Sequence, residues 1–501
     1  LDRYGEMLVY PGSNTKSILE YLGKNQFFSF IIDDKNGGNK LPVRDISSIV
    51  TKITTINPAL GVVVMVPNSL GPGELLESYG TDEQKNRYLN GLANGDYIPC
   101  FGLTGPYNGS DATGDIDTGI VKNINGKRVI SININKRYIT LAPVANLIGL
   151  AFRLKDPNKL LKKGKEGITV ALIEGNHNGL IKNTHHNPLN VGFPNGTLKG
   201  DINIDLDQII GGEEQSGNGW KMLMECLAAG RGVCLPASAL ASSKVITYGL
   251  YNYTRHRKQF NMPIIEMEGV ADRYLEIMYN TWVIQSSVNF TNNLLDMGEK
   301  PSVISAIMKQ QTTDRGRTVI NNGMDIYAGS GICIGRNNFM EKYYRSSPIG
   351  ITVEGSNILT RNLIIYGQGL NKSHPYIYQV LDSILNNDDI KFESSFKDIV
   401  KHSCKLYLES LIPNVLINDR LKSQTVDFAC LSNFVALKGG NIKKEQLLSA
   451  DMADIFSNIY LAYSVKWYNE QYGVSNVLTE YCINRLLDEN NEKFNNVIDN
   501  L

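Results

Sequence analysis

The sequence is poor in tryptophan and histidine, with three and six in 501 residues, and it has no net charge, 50 Lys and Arg balancing 50 Asp and Glu. A neutral balance excludes a global basic field, so nucleic acid is not expected as a partner. The seven cysteines, at 100, 226, 234, 333, 404, 430 and 482, are odd in number and form no C-x-x-C pair. They read as reduced thiols in a reducing compartment rather than as a disulfide scaffold. No H-E-x-x-H spacing occurs, and adjacent His185 and His186 point different ways from most backbones, so no metal site is expected. No uninterrupted apolar run reaches the length of about 18 residues that spans a bilayer, and no signal peptide opens the chain. A start at Leu1 rather than Met points to a missing N-terminal piece.

What is present is an ordinary globular composition, 42% hydrophobic and 20% charged, long enough for two to four domains. The period of the apolar residues changes twice. SILEYLGKNQFF, the stretch 43–56 and TDEQKNRYLNGLANG read as helices, Thr81 capping the last with Gln84 completing a capping box. From about residue 100 the period is two. Ile130, Ile132 and Ile134 alternate with polar residues in RVISININKRYIT, as do Ile202, Ile204 and Leu206 in GDINIDLDQII, and GITVALIEG is a third strand. Gly- and Asn-rich connections predict an antiparallel sheet. The helical period returns after about 215, broken at GEKP, at the glycines 329–335 and at HPY. Leu448, Met452, Ile455, Ile459 and Ala462 then mark one face of a further helical unit. The expected divisions are a helical domain 1–99, a β domain 100–212, a bundle 213–370 and an added helical domain 371–501.

Three stretches could carry chemistry. In CFGLTGPYNGSDA, 100–112, tight turns expose backbone N–H groups beside the Thr104 and Ser110 hydroxyls, although such a segment is by itself most often only a loop. In DIYAGSGICIG, 325–335, the glycines run one residue too long for a dinucleotide fingerprint and no βαβ pattern surrounds them, which excludes a Rossmann reading. In PIGITVEGSNILTRNLIIYGQG, 348–369, the bare carboxylate Glu354 lies just before a helix that Ser356 or Asn357 caps. Its plain reading is a carboxylate stabilised by the helix dipole; its functional reading is a base of raised pKa.

In their order these motifs resemble the acyl-CoA dehydrogenases. VPNSLGPGELLESYGTDEQK, NKRYITLAP, DIYAGSGICIG and ITVEGSNILTRNLIIYGQG are most similar to the bacterial long-chain branch of fatty-acid β-oxidation, enlarged by a C-terminal domain. The likeness covers roughly residues 15 to 480.

The resemblance implies an α+β, mainly α fold: an N-terminal helical domain, a middle antiparallel β-barrel-like domain, a four-helix bundle and an extra helical domain. It implies FAD as cofactor, acyl-CoA as substrate, an electron-transfer flavoprotein as electron acceptor and a homo-oligomer, either a dimer or a dimer of dimers. Glu354 matches the catalytic base. Phe101, Leu103, Thr104, Gly109 and Ser110 match the flavin loop, Tyr138 and Thr140 the aromatic-x-threonine pair beside it, and Ser356 a cofactor contact. Arg257 and Phe260 match groups reaching the cofactor across a dimer, and Gly329 the glycine loop near the pyrophosphate. Arg231 and Gly355 match substrate-side positions.

Gly105, Tyr107 and Asn108 depart from the family's loop. Gly230 stands where some relatives carry an alternative base. The resemblance places the enzyme in the cytoplasm at the inner membrane. An anchor would be peripheral, through the missing N-terminus or through the final helical region, whose Tyr460, Leu461, Tyr463 and Trp467 could sit at an interface, although an apolar stripe at helical spacing is more often core. An acyl-CoA oxidase of the same fold and a non-catalytic scaffold are the alternative readings.

Overall fold

The computed structural model describes residues 13–69, 71–162, 164–299, 302–370, 374–411 and 419–501. Helices α1 (Ser13–Lys24), α2 (Val43–Ile56), α3 (Pro58–Met65), α4 (Pro72–Tyr79) and α5 (Asp82–Asn94) come first. The Asn57 side chain accepts from the Ala59 and Leu60 N–H groups ahead of α3, whose first residue, Pro58, has no N–H to satisfy. Thr81 and Gln84 close the reciprocal capping box expected at α5.

Strands β1 (Pro99–Gly102), β2 (Thr118–Ile124), β3 (Lys127–Thr140), β4 (Leu147–Lys155), β5 (Gly167–Glu174), β6 (His185–His186) and β7 (Asn195–Asp205) form one sheet in the order β1-β4-β2-β3-β7-β6, with β5 also paired to β4. The sheet is mixed rather than wholly antiparallel. β3 runs antiparallel to β2 and β7, and β5 to β4, but β4 is parallel to both β1 and β2. The β2–β3 hairpin intervenes between β1 and β4 and returns the chain to the end where β1 began. Turn residues report only such local hairpins, so the long-range parallel pairing left no sequence signal. Along β4, Ile148, Leu150, Phe152 and Leu154 join the core shared with α1–α3, while Leu147 and Ala151 join the one shared with α4 and α5. Both faces are thereby covered.

Helices resume with α6 (Gly219–His256), the two-residue strands β8 (Lys258–Gln259) and β9 (Met262–Pro263), α7 (Glu268–Asp296), α8 (Ser302–Tyr327), α9 (Gly329–Ile332), α10 (Glu341–Thr352) and α11 (Asn357–Leu359), which continues as a π-helix, Thr360–Gln368. The glycine cluster thus includes a short helix. Small residues let α6 and α8 approach closely: a Cβ on Gly232 would meet Ser305, one on Gly316 would meet Ala239, and one on Gly323 would meet Ile246. These pairs advance together along both chains, so α6 and α8 run in the same direction. Among the described residues α6 is the one helix long and apolar enough to cross a membrane, but Leu240, Ile246 and Leu250 spend that surface inside the bundle.

The remaining helices are α12 (Ile377–Leu385), α13 (Asp389–Ser410), α14 (Arg420–Ala436), α15 (Gln446–Tyr472) and α16 (Asn476–Asp499). The predicted stripe on α15 is buried against α7 and α8. Two of the residues expected at a lipid surface are buried with it. Leu461 is in the core, and Tyr460 is held by a 2.8 Å hydrogen bond between its hydroxyl and that of Thr291. Trp467 packs on Phe290, and of the four only Tyr463 faces outward. An apolar stripe at helical spacing served packing, and the proposed anchor is corrected accordingly.

Charge also ties this region to the bundle. Arg361, in the π-helix, donates in bidentate fashion to Asp454 at 2.8 and 2.6 Å, and Lys493 lies 2.6 Å from the same carboxylate. Burial pushes the Asp454 carboxyl up, but Arg361 and Lys493 more than offset this and hold it below its usual range. Its stabilising share is therefore present above the ordinary aspartate range and lost as pH falls through the lowered value. Arg361→Ala is expected to cost about 2 kcal/mol, less than a fully buried pair because the guanidinium is partly exposed. It should also move the onset of acid unfolding to higher pH. Urea midpoints measured from pH 3 to 7 check both effects.

Candidate active site

Glu354 occupies the turn between α10 and α11. Its φ is +56° and that of Gly355 is +90°, left-handed backbone that a non-glycine residue adopts only when its surroundings impose it. Although the residue as a whole is partly accessible, Oε2 is buried and has no hydrogen-bond donor. Removal from water is the largest influence on the carboxyl and pushes it up to about 7, against the opposing pull of Arg231 and Lys309. The raised value fits the reading as a base, since a carboxyl stabilised by a helix terminus would be lowered instead.

Two cations, one half-buried and one buried, flank the carboxylate. Arg231 on α6 has its Nε out of solvent without a partner, and burial lowers its pKa. Lys309 on α8 is fully buried, its pKa pushed down to about 8, chiefly by burial. Its Nζ donates to the Gly355 carbonyl at 2.6 Å and to Asn357 Oδ1 at 2.7 Å. Asn357 Nδ2 in turn donates to Thr313 Oγ1 at 2.9 Å and Asp314 Oδ1 at 2.8 Å. Asn357 therefore pins the start of α11 to α8, and Ser356, the residue at the cap, makes no capping hydrogen bond. Cys234, one turn beyond Arg231, is buried, and its thiol is pushed up to about 12. Beside this cluster lies a cavity of about 70 Å³, lined by Met65, Leu235, Ala239, Gly316, Ile320 and Ile349 among others.

The loop after β1 closes on the same turn. Phe101 packs over Gly149, and the Leu103 carbonyl accepts from Asn108 Nδ2 at 3.0 Å and Lys136 Nζ at 3.1 Å. The Thr104 carbonyl accepts from the Arg137 N–H at 3.1 Å. Asn108, one of the departures, is buried and braces this loop from inside. Gly105 gives it room, since a Cβ there would lie 2.8 Å from Asn108 Oδ1, while Tyr107 is exposed. Gly109 and Ser110 face solvent, with open space around Gly109, and Ser110 Oγ is 3.3 Å from Ser356 Oγ. Tyr138 sits in a register shift of β3 at φ +62°, its exposed ring 5.0 Å from that of His186 and under the Arg137 guanidinium. Thr140 Oγ1 accepts from Asn195 at 3.4 Å. Arg137 Nε is buried without a partner.

Arg257, Phe260 and Gly329 are not brought to Glu354 within one chain. Arg257 follows Arg231 by 26 residues, about 39 Å along a helix at 1.5 Å per residue. These three residues share the far end of the bundle, where Tyr253 and Tyr327 meet at 4.7 Å. Phe260 is 90% exposed at the hairpin tip, where it and Asn261 both take positive φ.

Sequence reasoning missed Lys309, Lys136 and Asp117. Lys136 continues the inward alternation of Ile130, Ile132 and Ile134, and Lys309 lies between Ala306 and Thr313 on the face that meets α6; both spacings were readable. Lys136 is fully buried, 3.2 Å from Asp117. Lys136→Met would leave that carboxylate uncompensated, and a loss of about 3 kcal/mol is expected. Amide exchange over residues 103–110 should accelerate in the same variant, as read by mass spectrometry.

Comparison with known proteins gives three family matches: the acyl-CoA dehydrogenase N-terminal domain at residues 9–96, its C-terminal domain at 217–367, and the bacterial-type C-terminal domain at 417–501. An acyl-CoA dehydrogenase of Bacillus subtilis is 26% identical over 349 residues, 69% of this chain and 88% of its own length. The crystal structure of a Bacillus anthracis acyl-CoA dehydrogenase complexed with FAD superposes with a TM-score of 0.81 at 19% identity, over 97% of this chain and 83% of that one. Butyryl-CoA dehydrogenase from Megasphaera elsdenii gives a TM-score of 0.64 at 20% identity, over 74% of this chain and 92% of its own.

Proposed function

The chain belongs to the acyl-CoA dehydrogenase family, and from that premise we propose that it is an FAD-dependent oxidoreductase converting medium- or long-chain acyl-CoA to the trans-2-enoyl thioester. The observation that carries the reading is the solvent-shielded, donor-free Oε2 of Glu354, set against the same helices α6 and α8 that wall a cavity lined in part by Met65, Leu235 and Ile349. An α proton of a thioester is weakly acidic, so its removal needs a base of raised pKa. Glu354 Oε2 takes that proton, and the Glu354 N–H is suited to the developing enolate oxygen. Arg231 and Lys309 keep enough of the carboxyl ionised near neutrality for it to act. Bound FAD would supply the hydride acceptor for the β carbon.

The residues present fit such a group. The Thr104, Ser110 and Ser356 hydroxyls, the open space at Gly109, the exposed Tyr138 ring and the orphaned Arg137 Nε form a polar, partly aromatic wall beside the Glu354 turn. Phe101, Leu103 and Thr140 would shape its base, and Gly355 with Arg231 would face the substrate. Arg257, Phe260 and Gly329 would complete the cofactor site of a second copy. In support, Phe260, Ile332 and Ile334 are large apolar side chains left exposed at that end.

A medium or long acyl chain as substrate rests on the family resemblance, and the cavity lined by Met65, Leu235 and Ile349 is the place proposed for the acyl chain's end. The first step of fatty-acid β-oxidation, transfer of electrons to an electron-transfer flavoprotein, a cytoplasmic setting and the four-part division of the chain rest on the family resemblance and belong to the same proposal.

Glu354→Gln should keep the flavin spectrum but slow flavin reduction by palmitoyl-CoA by at least the factor of about 10² to 10⁴ typical of general-base loss. In the parent, that rate should rise with pH through about 7, because only the ionised carboxylate accepts a proton. Stopped-flow bleaching measures both, and bleaching of the variant at the parent rate overturns the assignment. Met65→Trp should fill much of the cavity, lowering kcat/KM for palmitoyl-CoA while leaving butyryl-CoA nearly unaffected.

A further inference from the structure

The geometry assigns Lys309 a role as the positioning residue of the base, one that rests on the reading of Glu354 given above. Its ammonium does not pair with the Glu354 carboxylate. It reaches past it to the Gly355 carbonyl and Asn357 Oδ1, at 2.6 and 2.7 Å, and so holds the residues that follow the base.

Two consequences follow from that placement. The first is mechanical. Glu354 and Gly355 both take positive φ, and a non-glycine residue leaves that conformation readily unless it is fixed from outside. Lys309 fixes it from α8, and Asn357 locks the same turn to Thr313 and Asp314 one helical turn further on. A carboxylate aimed by this turn approaches the α carbon in one geometry. Misplacement by about 1 Å can cost on the order of 10²-fold in rate.

The second consequence is electrostatic. The charged and titratable groups around the carboxylate are Arg231 and Cys234 from α6 and Lys309 and Asp314 from α8, with Glu74 of α4 acting on Cys234. Lys309 and Arg231 both favour the ionised base. Had the ammonium bonded the carboxylate directly, it would have tied up the lone pairs that accept the proton. Placed one residue away, it stabilises the charge and leaves Oε2 free. The sequence carries this as a lysine in ISAIMKQQTT, on the face of α8 that meets α6.

Three measurements on the FAD-loaded enzyme test the assignment. Lys309→Met keeps the stem and removes both charge and donors. Flavin reduction by palmitoyl-CoA should fall roughly 10²-fold, with little change in KM, and the acid limb of its pH profile should move to higher pH. Infrared difference spectra, from which the Glu354→Gln spectrum is subtracted, isolate the Glu354 carboxyl; its titration midpoint should move upward in Lys309→Met without any turnover being needed. Amide exchange over residues 354–358 should quicken.

Lys309→Gln, which can still donate to one of the two acceptors, should show the upward midpoint with a smaller loss of rate, and it serves in place of Lys309→Met should that variant not fold. An unchanged midpoint with unchanged exchange in either variant overturns the role of Lys309. If no acyl-CoA bleaches the parent, the dehydrogenase reading falls instead, and the infrared shift still decides the case for Lys309.

Discussion

Keeping the Glu354 carboxyl away from water, with Oε2 lacking any donor, costs free energy that the surrounding structure has to offset. The offset is distributed. Arg231 and the buried Lys309, on different helices, stabilise the ionised form, and hydrogen bonds from Lys309 to the Gly355 carbonyl and the Asn357 side chain hold the turn in a conformation it would otherwise leave. The close seam of α6 and α8, made possible by Gly232, Gly316 and Gly323, sets those cations at the required depth. Bundle packing and site electrostatics are thus one problem. A bulkier residue in the seam would spread the helices and separate the charges together.

The sheet addresses a similar difficulty. Its loop after β1 must present hydroxyls and N–H groups outward while keeping a fixed shape, and the shape comes from beneath. Lys136 and Asn108 bind the Leu103 carbonyl, and Lys136 is balanced by Asp117. The contact between Ser110 and Ser356 then joins this loop to the turn that carries the base, while Cys234 and Ala237 of α6, with Ile349 of α10 packed against them, extend the sheet's core into the bundle beneath.

Much of this was legible in the chain. Periods of 3.6 and 2 located the helices and strands because half-buried elements must alternate, and the capping box at Thr81 fixed one boundary outright. The solitary Glu354 announced itself as a carboxylate in apolar surroundings. Three features were not anticipated. Parallel pairing of β4 depends on the path of the whole hairpin between β1 and β4, which leaves no local mark. The stripe on α15 looks the same whether it faces lipid or another helix, and only its burial against α7 and α8, with the Tyr460 and Thr291 hydroxyls hydrogen-bonded, decides between them. Lys309 and Lys136 were overlooked because a lysine is usually solvated, so a position on an inward face was discounted for the residue type although its spacing was right. Asn108 is a gentler case: it looked like a flaw in the loop, and its amide turned out to be the loop's internal brace.

The sequence distances within the charge network have a kinetic meaning. Arg315 on α8 donates to Glu489, 174 positions later, Tyr279 donates to the same carboxylate across 210, and Arg361 waits 93 residues for Asp454. At about 5 to 20 residues per second, a ribosome would need on the order of ten to thirty seconds to supply the partner of Arg315 after that arginine has emerged. Throughout that interval α7 and α8 exist without the carboxylates that neutralise their buried guanidinium, and the long loops that must close slow the final step further. The bundle's charges are therefore completed only once α16 has been made, and until then the nascent chain carries its central helices electrically incomplete.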